Sequence, residues 1–467
     1  MSRPERATPH AQLLIVADDL TGTADSAVGC AERGLHTQVL LAATRPQEAD
    51  VVAVDLDSRE CAPAVAARRH TACVDAWQGH YRHLFKKVDS TLRGNLAVEI
   101  ASLVPKAGMA LVAPAYPASG RTTREGRQWL DGVPVEETEV WRNAGIEGRA
   151  DLIAMLSGAG LDTRLLDLDT LRGDDTRALE RLRDWQRAGV QAVVCDAEDD
   201  RDLQRIATLG SALDSIVWVG AAGLGQALPD ALVLVSEPAP EAVPETAFED
   251  SHGRQARIAA SAPAESGPTL SVIGSMSSRA HDQADALAAA IPALEVIEIA
   301  PATLREPAPP GARQRLSRRL ADALTSNRDV MLRIAQPEER DTRDGAALSE
   351  ALGALIAPHL ADVCRLIATG GATARAILDA AGIERLTLID APVAGMARLT
   401  AERPTHPLEV VTKAGGFGHS AAFVDLWATH VAPRRPHAAA ETAPFSETPA
   451  RPGMHAPGRG TAKDSPA

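Results

Sequence analysis

Residues 13–27 read LLIVADDLTGTADSA, in which a short apolar run is followed by two aspartates and a glycine-containing turn. This pattern is typical of a buried strand that leads directly into a helix. The runs VVAVD (51–55) and FKKV (85–88) repeat it, each ahead of a helical pattern. Alternation of this kind predicts an α/β fold with a mainly parallel sheet and right-handed crossovers.

The second half of the chain has the same alternation. The runs TLSVI (269–273), RLIAT (365–369) and LEVVT (408–412) each lie beside a helical stretch. Two shifts in composition divide the sequence, because one internal segment is rich in Pro, Ala, Glu and Ser and the C-terminal end lacks periodicity. We therefore predict an N-terminal α/β domain (1–228), a linker or crossing segment (229–268), a C-terminal α/β domain (269–432) and a disordered tail (433–467).

Composition excludes several classes of function. The 467 residues contain 48 Lys and Arg against 62 Asp and Glu, a net charge of −14, and only 3% are aromatic. A negative surface with few rings argues against binding to nucleic acid. No apolar stretch reaches the roughly 18 residues of a membrane helix, and the N-terminus lacks a signal-like core. We expect a cytoplasmic protein without nucleic-acid or membrane partners.

Polar residues follow the predicted strands of the N-terminal half, where ligands of open α/β sheets bind. Asp18 and Asp19 can bind a polyol or a cation or act as a general base, although capping of the next helix is the alternative. Arg59 can grip a carboxylate or form a surface salt bridge. The stretch KKVDSTLRGN (86–95) combines cations, hydroxyls and a helix start, which predicts an anion site. We expect the cations of the site to be Arg59, Lys86, Lys87, Arg93 and Arg121.

Three turns of small residues follow strands in the C-terminal half: GSMSS (274–278), TGGATA (369–374) and KAGGFG (413–418). Glycines let the backbone approach a ligand closely, and amides at helix starts bind phosphates. Together they predict a nucleotide site. The sequence has no P-loop motif, and GAAGLG (220–225) lacks the dinucleotide spacing, so we interpret that segment as close packing at a helix start.

These motifs, in this order, resemble the four-carbon acid sugar kinase family. The matching segments include 17–27, 57–59, 86–95, 114–123, 274–278, 368–374 and 412–418. The resemblance implies that the N-terminal domain holds a sugar acid, that the C-terminal domain holds ATP, and that a cleft separates them. It assigns the acid to Asp18 or Asp19, Arg59, Lys87, Val88, Asp89 and Ser90. It assigns ATP to Ser275, Gly370, Gly371, Ala372, Thr373 and Gly415 or Gly416.

We therefore predict an ATP-dependent kinase of a four-carbon sugar acid such as D-threonate or D-erythronate, acting on the terminal hydroxyl. Arg59 would bind the carboxylate, Asp18 or Asp19 would orient or deprotonate the hydroxyl, and Lys87 and Arg93 would offset phosphoryl charge. Mg²⁺ would bridge the phosphates, with its protein ligands unassigned, and a homo-oligomer is possible. Ala372 stands where the family usually has aspartate. Two alternatives stay open: a non-catalytic sugar-acid sensor and a nucleotide-independent aldolase or decarboxylase.

Overall fold

The apolar runs of the sequence form strands that are buried on both faces, as expected for a parallel sheet covered by helices. The computed structural model describes residues 11–42, 48–236, 267–336 and 345–432. The strands are β1 (Ala11–Ala17), β2 (Thr37–Leu40), β3 (Val51–Asp55), β4 (Tyr81–Lys87), β5 (Met109–Ala113), β6 (Arg121–Arg124), β7 (Arg127–Leu130), β8 (Val133–Pro134), β9 (Thr163–Leu166), β10 (Ala192–Cys195), β11 (Ile216–Gly220), β12 (Thr269–Ile273), β13 (Glu295–Ile299), β14 (Val330–Ile334), β15 (Arg365–Thr369), β16 (Arg385–Asp390), β17 (Met396–Ala401) and β18 (Leu408–Lys413).

The helices lie between the strands and cover the sheet. They are α1 (Leu20–Ala31), α2 (Pro63–Ala76), α3 (Leu96–Ala107), α4 (Glu139–Ala144), α5 (Leu152–Gly158), α6 (Leu168–Arg172), α7 (Asp175–Arg187), α8 (Asp200–Ser211), α9 (Ala222–Ala231), α10 (Ser278–Ala290), α11 (Pro301–Leu304), α12 (Ala312–Thr325), α13 (Gly345–Ile356), α14 (Gly371–Ala380) and α15 (Ala422–Leu426). Among the described residues, no helix is long and apolar enough to cross a membrane.

The main sheet has 15 strands in the order β13-β14-β12-β15-β18-β17-β16-β2-β3-β1-β4-β11-β5-β10-β9. Its strands are parallel except where β16 and β17 pair with their neighbours. The predicted α/β class with mainly parallel strands is therefore confirmed. A separate antiparallel sheet is formed by β6, β7 and β8.

One feature of the sheet was not predicted from the sequence. Strands β2 and β16 pair antiparallel, with Leu40 opposite Arg385 and Gln38 opposite Thr387, so the strands of the two halves form one continuous sheet. Helix α1 packs beside this junction, against β16 and β17 as well as β1 and β3. Residues at the carboxyl ends of β4 and β18, Lys87 and Thr412, line one cavity at this junction.

The predicted linker lies largely outside the described residues. Residues 229–231, which we expected to begin the linker, form the end of α9, because Leu228 and Pro229 are buried against the core. Residues 237–266 and the predicted tail, 433–467, lie outside the described residues. The boundaries 1–228 and 269–432 stay predictions.

Candidate active site

A polar cavity lies where the strand ends of the two halves meet. Six of its lining residues come from the predicted acid-binding set: Asp19, Arg59, Lys87, Asp89, Ser90 and Arg93. Asp18 and Val88 are not in the wall, since each is almost fully buried behind it. The C-terminal half contributes Thr412, Ala414 and Phe417. None of the predicted nucleotide residues lines this cavity, although Ala414 adjoins Gly415.

Arg59 is already paired with carboxylates. Its Nε donates to Asp18 Oδ2 at 2.7 Å, and its Nη2 donates to Asp18 Oδ1 at 3.0 Å and to Asp19 Oδ1 at 2.7 Å. Burial would raise the pKa of Asp18, but the charges of Arg59 and Lys86 outweigh it and lower the pKa to about 2. Arg59 Nη1 makes no hydrogen bond to a described side chain, so one edge of the guanidinium is left for a ligand.

Asp19 caps a helix and also lies in the cavity wall. It is the N-cap of α1, because its Oδ1 accepts from the Gly22 amide at 3.1 Å, and its Oδ2 accepts from the Thr21 hydroxyl at 2.7 Å. It also lines the cavity. Capping therefore fixes the orientation of a carboxylate that faces the candidate ligand space.

The stretch at 86–95 turns its two lysines in different directions. Lys86 is fully buried and pairs with Glu99 at 2.9 Å, so it does not join the cations of the cavity as we expected. Lys87 lines the cavity, and its Nζ donates to the Val88 carbonyl at 2.7 Å. Asp89 shapes the turn by accepting from Arg93 Nη2 at 2.7 Å and from the Thr91 amide at 3.0 Å.

The three glycine turns meet at the ends of β12, β15 and β18. A Cβ atom at Gly274 would overlap Thr373, and one at Gly415 would overlap Ser275, so each turn packs against another. Gly370 has a φ of 90°, which favours glycine, and its amide donates to the Lys413 carbonyl at 2.9 Å. The sequence prediction that these turns belong together is consistent with this packing.

The remaining predicted residues of these turns are more open. Ala372 is exposed near the start of α14, and a Cβ atom at Gly416 would meet no atom within 4 Å. Lys413 is buried beneath the last turn, where its Nζ donates to the Ala414 carbonyl at 2.9 Å. Burial, assisted by Arg279, lowers the pKa of Lys413 to about 7.

The two halves touch at Asp19 and Gly371. A Cβ atom at Gly371 would lie 2.6 Å from Asp19 Oδ2 and 3.2 Å from Thr21 Oγ1, so only glycine leaves room for this carboxylate. The start of α14 therefore approaches the start of α1 directly. A nucleotide phosphate bound at the start of α14 would therefore lie beside the carboxylates at the start of α1.

The sequence analysis gave no individual role to four residues of the cavity wall, although all four lie within its matching segments. Asp25, Tyr116, Thr412 and Phe417 line it, and the Tyr116 and Phe417 rings lie 6.3 Å apart across the junction. The hydroxyl of Thr412 is buried without a hydrogen-bond partner in the described structure. Asp25 could have been found from helical spacing, since it lies one turn after Thr21 and Gly22 on α1.

The segment at 220–225 is both a packing site and part of the wall. Its glycines pack closely as predicted, because a Cβ atom at Gly225 would lie 2.6 Å from the Ser26 carbonyl oxygen. However, Ala221 and Ala222 line the cavity, although the sequence analysis gave this segment no part in a ligand site. Arg121, which we expected among the cations of the site, stacks on the Phe417 ring at the same junction, with 4.6 Å between its Cζ and the ring centroid.

The donor set limits how a metal ion could be held. No cluster of three or more His, Cys, Asp or Glu side chains suited to a metal occurs in the part of the chain that the structure describes. Mg²⁺ needs only one or two protein carboxylates when phosphates supply other ligands. The cavity carboxylates, of which Asp19 contacts the start of α14, fit that arrangement.

The fold and the cavity define a two-part α/β enzyme that brings a charged, polar strand edge against glycine turns at helix starts. Comparison with known proteins gives the particular family. The chain belongs to the family composed of a sugar-binding N-terminal domain, matched by residues 13–228, and a nucleotide-binding C-terminal domain, matched by residues 270–423.

The chain aligns with two curated relatives over nearly the whole length of each. The chain is 40% identical to a D-threonate kinase of Cupriavidus necator, over 91% of this chain and 99% of the relative. It is 31% identical to a 3-oxo-tetronate kinase of Methylobacterium radiotolerans, over 86% of this chain and 95% of the relative. A solved structure from Salmonella typhimurium, titled as a putative tRNA synthase, has a TM-score of 0.71 at 20% identity and covers 89% of this chain and 98% of its own. This last similarity concerns the fold alone.

Proposed function

We propose that this protein transfers the γ-phosphoryl group of ATP to the terminal hydroxyl of D-threonate or a closely similar four-carbon sugar acid. Membership of the family makes the chain a four-carbon acid sugar kinase, and a kinase uses ATP. D-Threonate is the first candidate because the relative with 40% identity is named for it. The observation that carries the proposal is the cavity, in which Arg59, Lys87 and Arg93 of one half face the last glycine turn of the other half, at Ala414 and Phe417.

Arg59 and Arg93 are the proposed partners of the anionic groups. Each guanidinium is held by a carboxylate, Arg59 by Asp18 and Arg93 by Asp89, through Nε and Nη2. This leaves the Nη1 group of each for a ligand, while the side chain stays oriented. We assign the sugar carboxylate to Arg59 and the transferring phosphoryl group to Lys87 and Arg93. The turn that contains Val88 and Ser90, after β4, would complete the site for the acid.

The proposed ATP site is the surface made by the three glycine turns. Amides at the start of α14, after Gly370, are available to phosphate oxygens. Ser275 and Gly415 pack together beside them, and Thr373 packs on Gly274. In this proposal the N-terminal domain, 1–228, holds the acid and the C-terminal domain, 269–432, holds ATP.

Mg²⁺, bound with ATP, would neutralise phosphate charge during transfer. We propose Asp19 as the carboxylate beside it, because its Oδ2 is the carboxylate oxygen that adjoins Gly371. The sensor alternative rested on Ala372. That residue is exposed, and its neighbour Thr373 makes the packing contact with Gly274, so no contact of this turn favours a sensor or an aldolase.

Release of ADP should be measured with Mg·ATP and a panel of four-carbon acids, including D-threonate, L-threonate, D-erythronate and a 3-oxo-tetronate. We expect one acid to be turned over with a kcat/KM at least tenfold above the others, and mass spectrometry to find one added phosphate on it. ATP hydrolysis without acid is the control. Failure of folded protein to turn over any acid would refute the kinase proposal.

A further inference from the structure

Asp25 differs from the other carboxylates of the cavity in having no partner. Asp19 pairs with Arg59 at 2.7 Å, and Asp89 pairs with Arg93 at 2.7 Å. Asp25 also lines the cavity, yet it forms no hydrogen bond or ion pair with any described residue. Asp25 is partly exposed to this cavity, and a partly desolvated carboxylate without a partner costs stability, so a purely structural role does not account for it.

The position of Asp25 is where the two proposed substrates would meet. It lies on α1, one turn beyond Thr21 and Gly22, which line the same cavity. Helix α1 packs against β1 and β3 of the N-terminal half and against β16, β17 and α14 of the C-terminal half. A side chain on this helix can therefore contact an acid held by one half while facing a phosphate held by the other.

The groups facing Asp25 come from several elements. Lys87 of β4 and Asp19 at the start of α1 act on it electrostatically, and its own charge acts on the hydroxyl of Tyr116, which follows β5. From β17 and β18 the wall residues are Ala397 and Thr412, and from the start of α9 they are Ala221 and Ala222, all uncharged. Lys87 is thus the cation whose charge acts on Asp25, but its ammonium group lies outside ion-pair distance of the carboxylate.

We propose that Asp25 is the catalytic residue that accepts the proton of the acceptor hydroxyl. This inference rests on the proposed function and names a residue of the same site. As the hydroxyl oxygen bonds to the γ-phosphorus, the bond from that phosphorus to the β,γ-bridging oxygen breaks. ADP leaves with the electron pair of that bond, and the hydroxyl proton passes to an oxygen of the Asp25 carboxylate.

The other aspartates are less suited to this step. Asp18 is almost fully buried behind the wall, and both of its oxygens accept from Arg59. Asp19 accepts from Arg59 on one oxygen and from Thr21 on the other. Protonation of either carboxylate would weaken its ion pair with Arg59. Asp18 and Asp19 are therefore positioning residues for Arg59, which revises our expectation that one of them is the base.

The protonation behaviour of Asp25 agrees with this role. Burial raises its pKa to about 6, against the opposing charge of Lys87. A base is most effective when its pKa lies near the working pH, since it is then ionised and still accepts a proton readily. Asp25 would be largely ionised at neutral pH and protonated below about pH 6.

The test compares Asp25→Asn and Asp25→Glu with wild-type enzyme and with Asp184→Asn, an exposed aspartate of α7. The dependence of kcat on pH is measured with the acid identified by wild-type turnover. We expect wild-type kcat to fall below about pH 6. Asp25→Asn should lower kcat by roughly 100-fold or more and remove this acid limb, whereas Asp25→Glu should keep a limb at reduced rate.

ATP binding, measured by calorimetry, should survive in Asp25→Asn, and Asp184→Asn should match wild type throughout. The proposal is overturned if Asp25→Asn keeps kcat within about fivefold of wild type, or keeps the acid limb. It is also overturned if excess Mg²⁺ restores the lost activity, because Asp25 would then be a metal ligand. Wild-type turnover tests the kinase proposal separately, so the two failures are distinguishable.

Discussion

Arg375 of α14 binds Asp55 at the end of β3, with 2.8 Å between Nη1 and Oδ2. The same guanidinium donates to the carbonyl oxygens of Asp55, at 3.3 Å, and of Leu41. Asp55 lies four residues before Arg59, and Arg375 lies one turn after Gly371. This ion pair therefore joins the loop of the proposed acid site to the helix of the proposed ATP site.

Replacing Arg375 with alanine should loosen both sites and lower stability. Burial already raises the pKa of Asp55 to about 7, against the effect of Arg375, so without this arginine Asp55 should be protonated at neutral pH. We expect a loss of about 1–3 kcal/mol in the free energy of unfolding near neutral pH. The loss should grow as the pH rises above 7, because keeping Asp55 protonated then becomes more costly.

Urea unfolding of Arg375→Ala across pH 6 to 9, beside kinetics in both substrates, checks this prediction. Arg375→Lys is the matched variant, since it keeps the charge and loses the planar fork. A KM increase for only one substrate in Arg375→Ala would show that the ion pair does not couple the sites.

Gly371→Ala should weaken ATP use by displacing Asp19. The added Cβ atom would lie 2.6 Å from Asp19 Oδ2, so either the carboxylate or the start of α14 must move. We expect kcat/KM for ATP to fall about tenfold or more, because small displacements at a reacting site are costly. Gly158→Ala, at the end of α5 with no atom within 4 Å of the new Cβ, should behave as wild type. Equal kinetics for the two variants would argue against the close approach of α1 and α14.

Arg59→Ala should raise KM for the acid and leave ATP binding intact. It should also lower stability by roughly 3 kcal/mol at neutral pH, because Asp18 would be left buried without its partner. Arg59→Lys should recover part of the stability but little of the acid binding, since a single ammonium cannot replace the bidentate contact. An unchanged KM for the acid in Arg59→Ala would remove Arg59 from the proposed substrate site.

The same variant should change the acid sensitivity of the fold. The folded-state pKa of Asp18 is lowered to about 2, below the value of about 3.9 in an unfolded chain. Its ion pairs therefore stabilise the protein fully above about pH 4, and this contribution is lost as the pH falls towards 2. The difference in unfolding free energy between wild type and Arg59→Ala should shrink over that range, as urea titrations at several pH values would measure.

Asp25→Asn should be more stable than wild type at neutral pH even though it is inactive. The folded-state pKa of Asp25, about 6, exceeds its unfolded value, so wild type loses stability as the pH rises from about 4 to about 6. An amide has no such penalty. We expect a gain of about 1–3 kcal/mol above pH 6 and none near pH 4. A variant less stable than wild type at pH 7 would mean that Asp25 has a stabilising partner.

Much of this architecture follows from local patterns, and the exceptions have a physical cause. Buried runs such as residues 13–17 and 365–369 need only their own apolar residues to predict strands. Strand β2 has four residues, and β17 alternates Ala, Arg, Leu and Thr between antiparallel neighbours, so neither forms an apolar run. The pairing of β2 with β16 depends on tertiary contacts that no local pattern contains.

The candidate site shows the same limit. The motifs identified Arg59, Lys87 and Asp89 because polar residues at strand ends meet at one edge of a parallel sheet. They could not show that Arg59 is bound by Asp18 and Asp19, or that Lys86 turns away to Glu99. Partner choice depends on side-chain geometry. The same is true of Asp25, whose importance lies in a missing partner.

The β2–β16 pairing also restricts how the halves can move. A hinge that swung them apart would have to break the backbone pairing of residues 38–40 with residues 385–387. Opening of the site would then have to come from movement of loops, such as those that hold Tyr116 and Phe417 in the cavity wall, and not from separation of the halves.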